Sequence, residues 1–345
     1  ERSLKVVLQV LPIELADPEL EFSIYFRSTL VENPPPYVNS DDKTPEQLAA
    51  EFRNLKAHGI TNPDVYQKFG SPLLDQYMDL REEAGLKSSP LYFLGKGAGS
   101  YKDPEKRARH VEKIREVLAW AWGRGIQTVY FHGSDEARGE ELRAQRETWK
   151  AVREAGGKIF VATSTGFFEL VGDLLDLPIV ARESPEDVPR VHALGHKIHY
   201  YSNPAGATEQ PYTFRYKFGH WLDRSGMDGV HTYVYQHGQG PGKDMGRMWD
   251  DFDYAKYRTL AFTYPTVDGV VDTLQWEGVR EGVDDLRYVT TLRKAIDAAR
   301  KRQSVDAVQR ANEAESWLAE VDIEGDLMAL RWKIAQMIIA LNGTP

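Results

Sequence analysis

Asp135 and Glu136 stand side by side in the stretch "YFHGSDEARGEEL", directly after a run of strand-forming residues and one glycine, Gly133. Two carboxyls can hydrolyse a glycosidic bond when one donates a proton to the leaving oxygen and the other carries negative charge. Acids that flank the scissile bond stand about 5 Å apart in the retaining arrangement and farther apart in the inverting one. Neighbours on one loop do not flank a bond that way. They suit a different division of labour, in which the substrate's own 2-acetamido oxygen attacks its anomeric carbon. Glu136 would protonate the leaving oxygen and later activate water. Asp135 would accept a hydrogen bond from the acetamido N–H, aim its carbonyl oxygen and stabilise the oxazolinium charge. The scheme needs one acid protonated and one ionised, and close carboxyls push their pKa values apart in that direction.

The elements that must position the pair are eight short β-branched or aromatic runs: "FSIYF" from Phe22, "ITNPDVY" from Ile60, "LYFL" from Leu91, "QTVYF" from Gln127, "KIFVA" from Lys158, "PIVA" from Pro178, "KIHYY" from Lys197 and "GVHTYVY" from Gly229. Most are apolar on both faces, as in a parallel sheet covered by helices. Helix starts lie between them. Thr44-Pro45, Ser71-Pro72, Asp103-Pro104 and Ser184-Pro185 each pair a capping residue with a proline suited to the first turn, and Thr44 with Gln47 completes a capping box. Gly59 is placed to end the first of these helices. Strand and helix alternate, so the expected fold is α/β, a (β/α)8 TIM barrel, with an open doubly wound sheet as its rival. "LKVVLQVLPIEL" is expected to add an N-terminal strand, and "WLAEVDIEGDLMALRWKIAQMIIAL" to form a final amphipathic helix. The expected division is an extended segment over 1–21, the catalytic barrel over 22–280 and a C-terminal helical segment over 281–345 packed on the barrel.

On this count the acid pair follows the fourth strand, at the rim where barrel loops converge. The same rim position nominates Arg27, Tyr66, Lys96, His132, Tyr201 with Asn203, and Tyr235 with His237 as substrate contacts. A tyrosine hydroxyl donating to the acetamido oxygen is expected, with Tyr201 and Tyr235 as the leading choices. Trp249, in "HGQGPGKDMGRMWDDFDY", is a candidate wall of the sugar site.

Other chemistries fit poorly. A net charge of -9 over 345 residues, with no basic run interleaved with aromatics, repels a nucleic-acid backbone. The chain has no cysteine, which removes disulfides, thiolate nucleophiles and Cys-based zinc sites. Its redox chemistry therefore leaves the compartment open. No apolar run reaches the ~18 residues of a membrane span, and "ERSLKVVLQV" lacks a signal peptide's h-region and cleavage site, so any export signal is expected to be removed or absent. "HALGH" lacks the glutamate of a zinc helix, and "LGKGAGS" places Ser100 where a dinucleotide loop has its third glycine. No metal and no cofactor are expected.

The "DE" after the fourth strand, with "LQWEGVREGVDDLRYVTTL" from Leu274, resembles the catalytic domain of glycoside hydrolase family 123. "FSIYFRSTL" and "TPEQLAAEFRNLKAHGITNP" are similar to that group as well. The resemblance spans roughly residues 20 to 295, and its distinctive parts are the acid pair and the W-E-x-x-R-E-G-x-x-D segment. It implies a (β/α)8 β-N-acetylgalactosaminidase, with Asp135 orienting the acetamido group, Glu136 as acid and base, and Trp276 in the cleft. Ala137 and Gln275 depart from the group's usual Pro and Arg. Glu277, Glu281, Asp284 and Asp285 are expected to cap and brace the following helix. The galacto preference comes from the resemblance alone. A gluco-specific enzyme would use the same acids, another glycosidase could use Asp244, Asp250 or Asp251 as nucleophile, and a non-catalytic barrel could retain only sugar binding. The expected partner is a carbohydrate ending in an N-acetylhexosamine.

Overall fold

The computed structural model describes residues 5–182, 185–204, 209–237, 260–302 and 304–343. Among them the strands, in chain order, are β1 (Glu21–Ile24), β2 (Thr29–Leu30), β3 (Asp42–Lys43), β4 (Leu91–Phe93), β5 (Val129–His132), β6 (Lys158–Thr163), β7 (Leu177–Val180), β8 (His199–Tyr200), β9 (Gly229–Thr232), β10 (Thr263–Pro265) and β11 (Val270–Asp272). The helices are α1 (Pro45–Ala57), α2 (Leu74–Glu83), α3 (Pro104–Gly123), α4 (Gly139–Arg143), α5 (Arg146–Glu154), α6 (Phe167–Val171), α7 (Asp187–Ala193), α8 (Pro211–Phe218), α9 (His220–Ser225), α10 (Leu274–Lys301), α11 (Val305–Glu320) and α12 (Leu327–Asn342). The chain divides into two compact units, Leu20–Glu281 and a second made of residues up to Glu19 with those from Gly282 onward.

The first unit is built on a seven-stranded, all-parallel sheet in the order β1-β9-β8-β7-β6-β5-β4. The first strand pairs with the last, Ser23 opposite His231, which an open doubly wound sheet does not do. The remaining gap, between β1 and β4, is spanned by residues 61–65. Asp64 N–H donates to Ile24 O at 3.0 Å and Val65 N–H to Tyr92 O at 2.9 Å, so the segment bonds to both edges. The sheet is thus TIM-barrel-like, with one departure. "ITNPDVY" is an isolated bridge, Val65 to Phe93, and not a regular strand. Pro63 removes a ladder donor there, and side chains hold the segment instead. Buried Arg81 donates to Asn62 Oδ1 and Pro63 O, each at 2.7 Å, and Asn62 Nδ2 donates to Glu21 Oε1 at 2.7 Å.

Alternation along β1 shows why these runs are apolar on both faces. Phe26, just beyond the strand, packs outward at 5.3 Å from Phe52 of α1, while Tyr25 points inward with its ring 4.9 Å from His231. Tyr92, Tyr130 and Phe160 fill the interior, Tyr92 lying 5.3 Å from each of the other two. The expected caps form. Thr44 and Gln47 make the capping box of α1, Gly59 follows its end at φ 80°, and Asp103 accepts from Glu105 N and Lys106 N at the start of α3. Near Ser71 the helix starts later, at Leu74, after a turn in which Ser71 Oγ accepts from Leu73 N. Ser184 lies outside the described residues.

In the second unit, "LKVVLQVLPIEL" forms no strand over its described part, residues 5–15, and Val6, Val7 and Leu8 are exposed. Farther along, Thr291 Oγ1 accepts from Ala16 N at 2.9 Å. The stretch expected as one final helix is two, α11 and α12, because the Asp326 carboxylate caps a new N-terminus by accepting from Met328 N and Ala329 N. Arg331 Nε donates to the buried Asp285 Oδ1 at 2.6 Å and joins α12 to α10. No helix among the described residues is long and apolar enough to cross a membrane.

Candidate functional site

The acid pair sits where β5 ends, and its loop is pinned residue by residue. A Cβ on Gly133 would lie 2.6 Å from Trp149, so only glycine lets the chain turn across that indole. Ser134 N–H then donates to Gln145 Oε1 at 2.8 Å, Glu136 N–H donates to Ala162 O of β6 at 3.3 Å, and Ala137 is buried. These anchors leave the side chains of Asp135 and Glu136 at the rim. Glu136 holds φ 52°, and among the described residues it is the one non-glycine at positive φ. Such conformations are costly for a residue with a Cβ and collect at functional sites.

Glu136 lines a cavity of about 590 Å³ whose walls come from the loops after β5, β6, β7 and β8, with Thr163, Thr165, Arg182 and Tyr201 among its polar groups and Phe167 and Ile179 among its apolar ones. Asp135 does not line this cavity. Tyr25, Tyr66, Tyr201 and Tyr233 all feel its charge, and Tyr201 feels that of Glu136 as well. Burial raises each of these phenols, Tyr201 to about 12, so all four remain hydroxyl donors at any ordinary pH. Partial burial among these rings, and then the charge of Glu136, push the Asp135 carboxyl above its usual range against a backbone hydrogen bond that lowers it.

Arg27 supplies fixed positive charge. Its guanidinium makes a two-bond contact to Asp41, Nη2 to Oδ2 at 2.8 Å and Nε to Oδ1 at 3.3 Å, and lies 5.9 Å from the centre of the Tyr66 ring. Burial works to raise Asp41, but the bonds and charge of Arg27 overcome it and hold Asp41 ionised. The Arg27 charge works to lower Tyr233, whose hydroxyl lies 3.0 Å from His237 Nδ1. His132 is sunk below the mouth with Nε2 3.4 Å from the Tyr25 hydroxyl, and burial followed by the neighbouring His231 lowers its pKa to about 3. It is a neutral imidazole.

The candidates therefore divide. Tyr66 and Tyr201 feel the charge of Asp135, Arg27 lies over the Tyr66 ring, and His132 reaches the Tyr25 hydroxyl. Lys96 is half-buried beside His110, whose pKa falls through burial and then the Lys96 charge. Tyr235 and Trp276 are fully buried elsewhere, and both donate to Asn54 Oδ1, at 3.1 and 3.0 Å. A cleft role does not fit either one. Trp249 and the rival acids Asp244, Asp250 and Asp251 lie outside the described residues. Tyr25 and Tyr233 reach the mouth without having been nominated from sequence. Their signal is parity, since Tyr25 continues the inward face of Ser23 and Tyr233 that of His231.

No protein-family model and no curated relative matches the chain, so the resemblance to glycoside hydrolase family 123 has no family-level match behind it. Solved structures do match. The chain is similar to native xylanase 10B from Thermotoga maritima at 10% identity and a TM-score of 0.49, over 78% of this chain and 96% of that one. It is similar to the endo-β-1,4-mannanase from Thermotoga petrophila at 12% and 0.46, over 79% and 77%. A sugar phosphate isomerase/epimerase from Parabacteroides distasonis matches at 13% and 0.40, over 69% and 87%.

Proposed function

We propose that the protein is a glycoside hydrolase that releases terminal β-linked N-acetylhexosamine through the substrate's own acetamido group. The observation that carries this reading is the placement of two adjacent acids on one pinned rim loop, Glu136 lining the cavity and Asp135 near enough to four tyrosines for them to feel its charge. Glu136 is the acid and base. Asp135 orients the acetamido N–H, and Tyr201 or Tyr233 donates to the acetamido oxygen. Burial and the charge of Glu136 push the Asp135 carboxyl up in the free protein. The acetamido N–H calls for a carboxylate at Asp135, and the leaving oxygen calls for a proton on Glu136. The N-acetylgalactosamine preference rests on the family 123 resemblance.

The test is hydrolysis of nitrophenyl β-glycosides of N-acetylgalactosamine, N-acetylglucosamine, galactose and glucose, side by side, with an N-acetylhexosamine thiazoline as inhibitor. Cleavage confined to the acetamido sugars, with thiazoline inhibition, supports the reading. Equal cleavage of sugars without the acetamido group refutes it.

A further inference from the structure

Outside the barrel, at the C-terminal end of α1, three potential ligand atoms from distant parts of the sequence converge. His58 Nε2 lies 3.7 Å from Asp272 Oδ2 at the end of β11 and 3.6 Å from Glu277 Oε1 in the first turn of α10. The three donors lie within 4.8 Å of one another. Both separations exceed hydrogen-bond length, and His58 Nε2 is a buried nitrogen without a hydrogen-bond partner on a residue only 4% exposed. A nitrogen so placed faces two carboxylate oxygens and bonds to neither.

The surroundings fix which atom of each residue is left over. His58 Nδ1 lies 2.9 Å from Asn54 O, so its proton is donated there and the Nε2 lone pair points at the acids. The imidazole stacks on Trp276 at 4.9 Å and 20°, which sets its plane. Asn54 Nδ2 donates to Asp272 Oδ1 at 2.8 Å, leaving Oδ2 for the cluster. Arg280 Nε donates to Glu277 Oε2 at 2.8 Å, leaving Oε1. Asn54 is itself locked, because its Oδ1 accepts from the Tyr235 hydroxyl and the Trp276 indole. Each ligand atom thus has an outer partner that orients it, the pattern found around metal-binding histidines and carboxylates.

We propose that His58, Asp272 and Glu277 bind one divalent cation of the borderline class, with zinc as the natural occupant. Two ligands about 2.1 Å from a tetrahedral zinc stand roughly 3.4 Å apart, so the two separations from His58 Nε2 need to close by only a few tenths of an ångström, and the two carboxylate oxygens, within 4.8 Å of each other, close onto the same ion. One imidazole with two carboxylates selects zinc, cobalt or nickel over magnesium or calcium, which favour all-oxygen sites. The two negative charges, partly offset by Arg280, match a dication. Three protein ligands leave a fourth position for water, and the partly exposed carboxylates provide the way in. The ion would join α1, the β10–β11 hairpin and the start of α10, and it accounts for Glu277 standing next to Trp276 and for the buried Tyr235 and Trp276 bonds that lock Asn54.

The chain, stripped with a chelator and returned to buffer, is titrated with Zn²⁺ by calorimetry and by competition with a chromogenic chelator, with melting followed in parallel. One equivalent binds per chain and raises Tm, and EDTA reverses the rise. Asp272→Asn and Glu277→Gln alter partly exposed groups and keep the metal-free Tm, yet each weakens zinc binding at least about tenfold. Failure of the wild-type chain to bind a stoichiometric equivalent overturns the proposal. So does binding that both substitutions leave unchanged.

Discussion

Glu136 can be tested for strain and chemistry separately. A residue with a Cβ at φ 52° costs roughly 1–2 kcal/mol relative to its relaxed backbone. Glycine at 136 removes that cost but loosens the unfolded chain, by about 0.5–1 kcal/mol. The net for Glu136→Gly is a gain of up to about 1.5 kcal/mol, or a Tm rise of up to about 3 °C for a unit of this size. Glu136→Gln keeps the Cβ and the strain, and at an exposed side chain its stability change stays within about 0.5 kcal/mol. Under the proposed mechanism both variants lose the acid and base, so both lose about 10²–10⁴ in kcat/KM, which is roughly 2.7–5.5 kcal/mol of transition-state stabilisation. The loss is largest for poor leaving groups, which need the proton most. Urea unfolding and a leaving-group series measure the two effects independently. A glycine variant less stable than the glutamine one refutes the strain argument. Retention of wild-type rates by either variant on an N-acetylhexosaminide refutes the chemical one.

Three further outcomes follow from the same geometry. Asp135→Asn raises Tm at neutral pH: a carboxyl whose folded pKa is raised loses stability as pH climbs through that value, so the advantage of Asn vanishes below the ordinary aspartate value of 3.8, and a Tm–pH series that shows Asn destabilising at pH 7 contradicts this. Tyr201→Phe lowers kcat about 10²–10³-fold if its hydroxyl serves the acetamido oxygen, whereas Tyr235→Phe leaves kcat intact and costs about 1 kcal/mol through its buried bond to Asn54; steady-state kinetics with melting curves separates them. Glu51→Gln leaves the Lys43 ammonium, 1% exposed and 2.7 Å from Glu51, without its counter-charge; urea unfolding should record a loss of about 3–5 kcal/mol, much of it recovered in Lys43→Met/Glu51→Leu.

The barrel was legible because its runs are short, apolar on both faces and separated by capped helices, and local rules of that kind survive burial. "ITNPDVY" misled because Pro63 and the Asn62–Arg81 contacts replace a ladder with side-chain bonds that no periodicity encodes. The acid pair was legible because its position in the chain fixes its position on the rim. Tyr235 was misplaced for the opposite reason: β9 ends at Thr232, and inward parity carries through Tyr233 but not to Tyr235, which turns toward Asn54. The His58 cluster spans distant segments, and its members meet only once α1 and α10 have packed, so spacing gives no hint of it.

The barrel interior also bears on which groups can move protons. His132 and His199 have pKa values lowered to about 3, burial being the main cause in both, and neither ring carries a proton near neutral pH. His231 is tied at 2.6 Å to Asp64, whose carboxyl burial pushes up, and both are closed off from solvent. The phenols at the mouth do not ionise, and Asp41 is held charged by Arg27. Among the described residues at the mouth, proton exchange with a ligand therefore falls to Asp135, Glu136 and His237, whose imidazole burial and then the Arg27 charge push down. An imidazole-based acid would show in the pH profile as a limb near the histidine value of 6.5 that survives Glu136→Gln, whereas the carboxyl pair predicts that both limbs belong to Asp135 and Glu136 and that replacing either acid abolishes one.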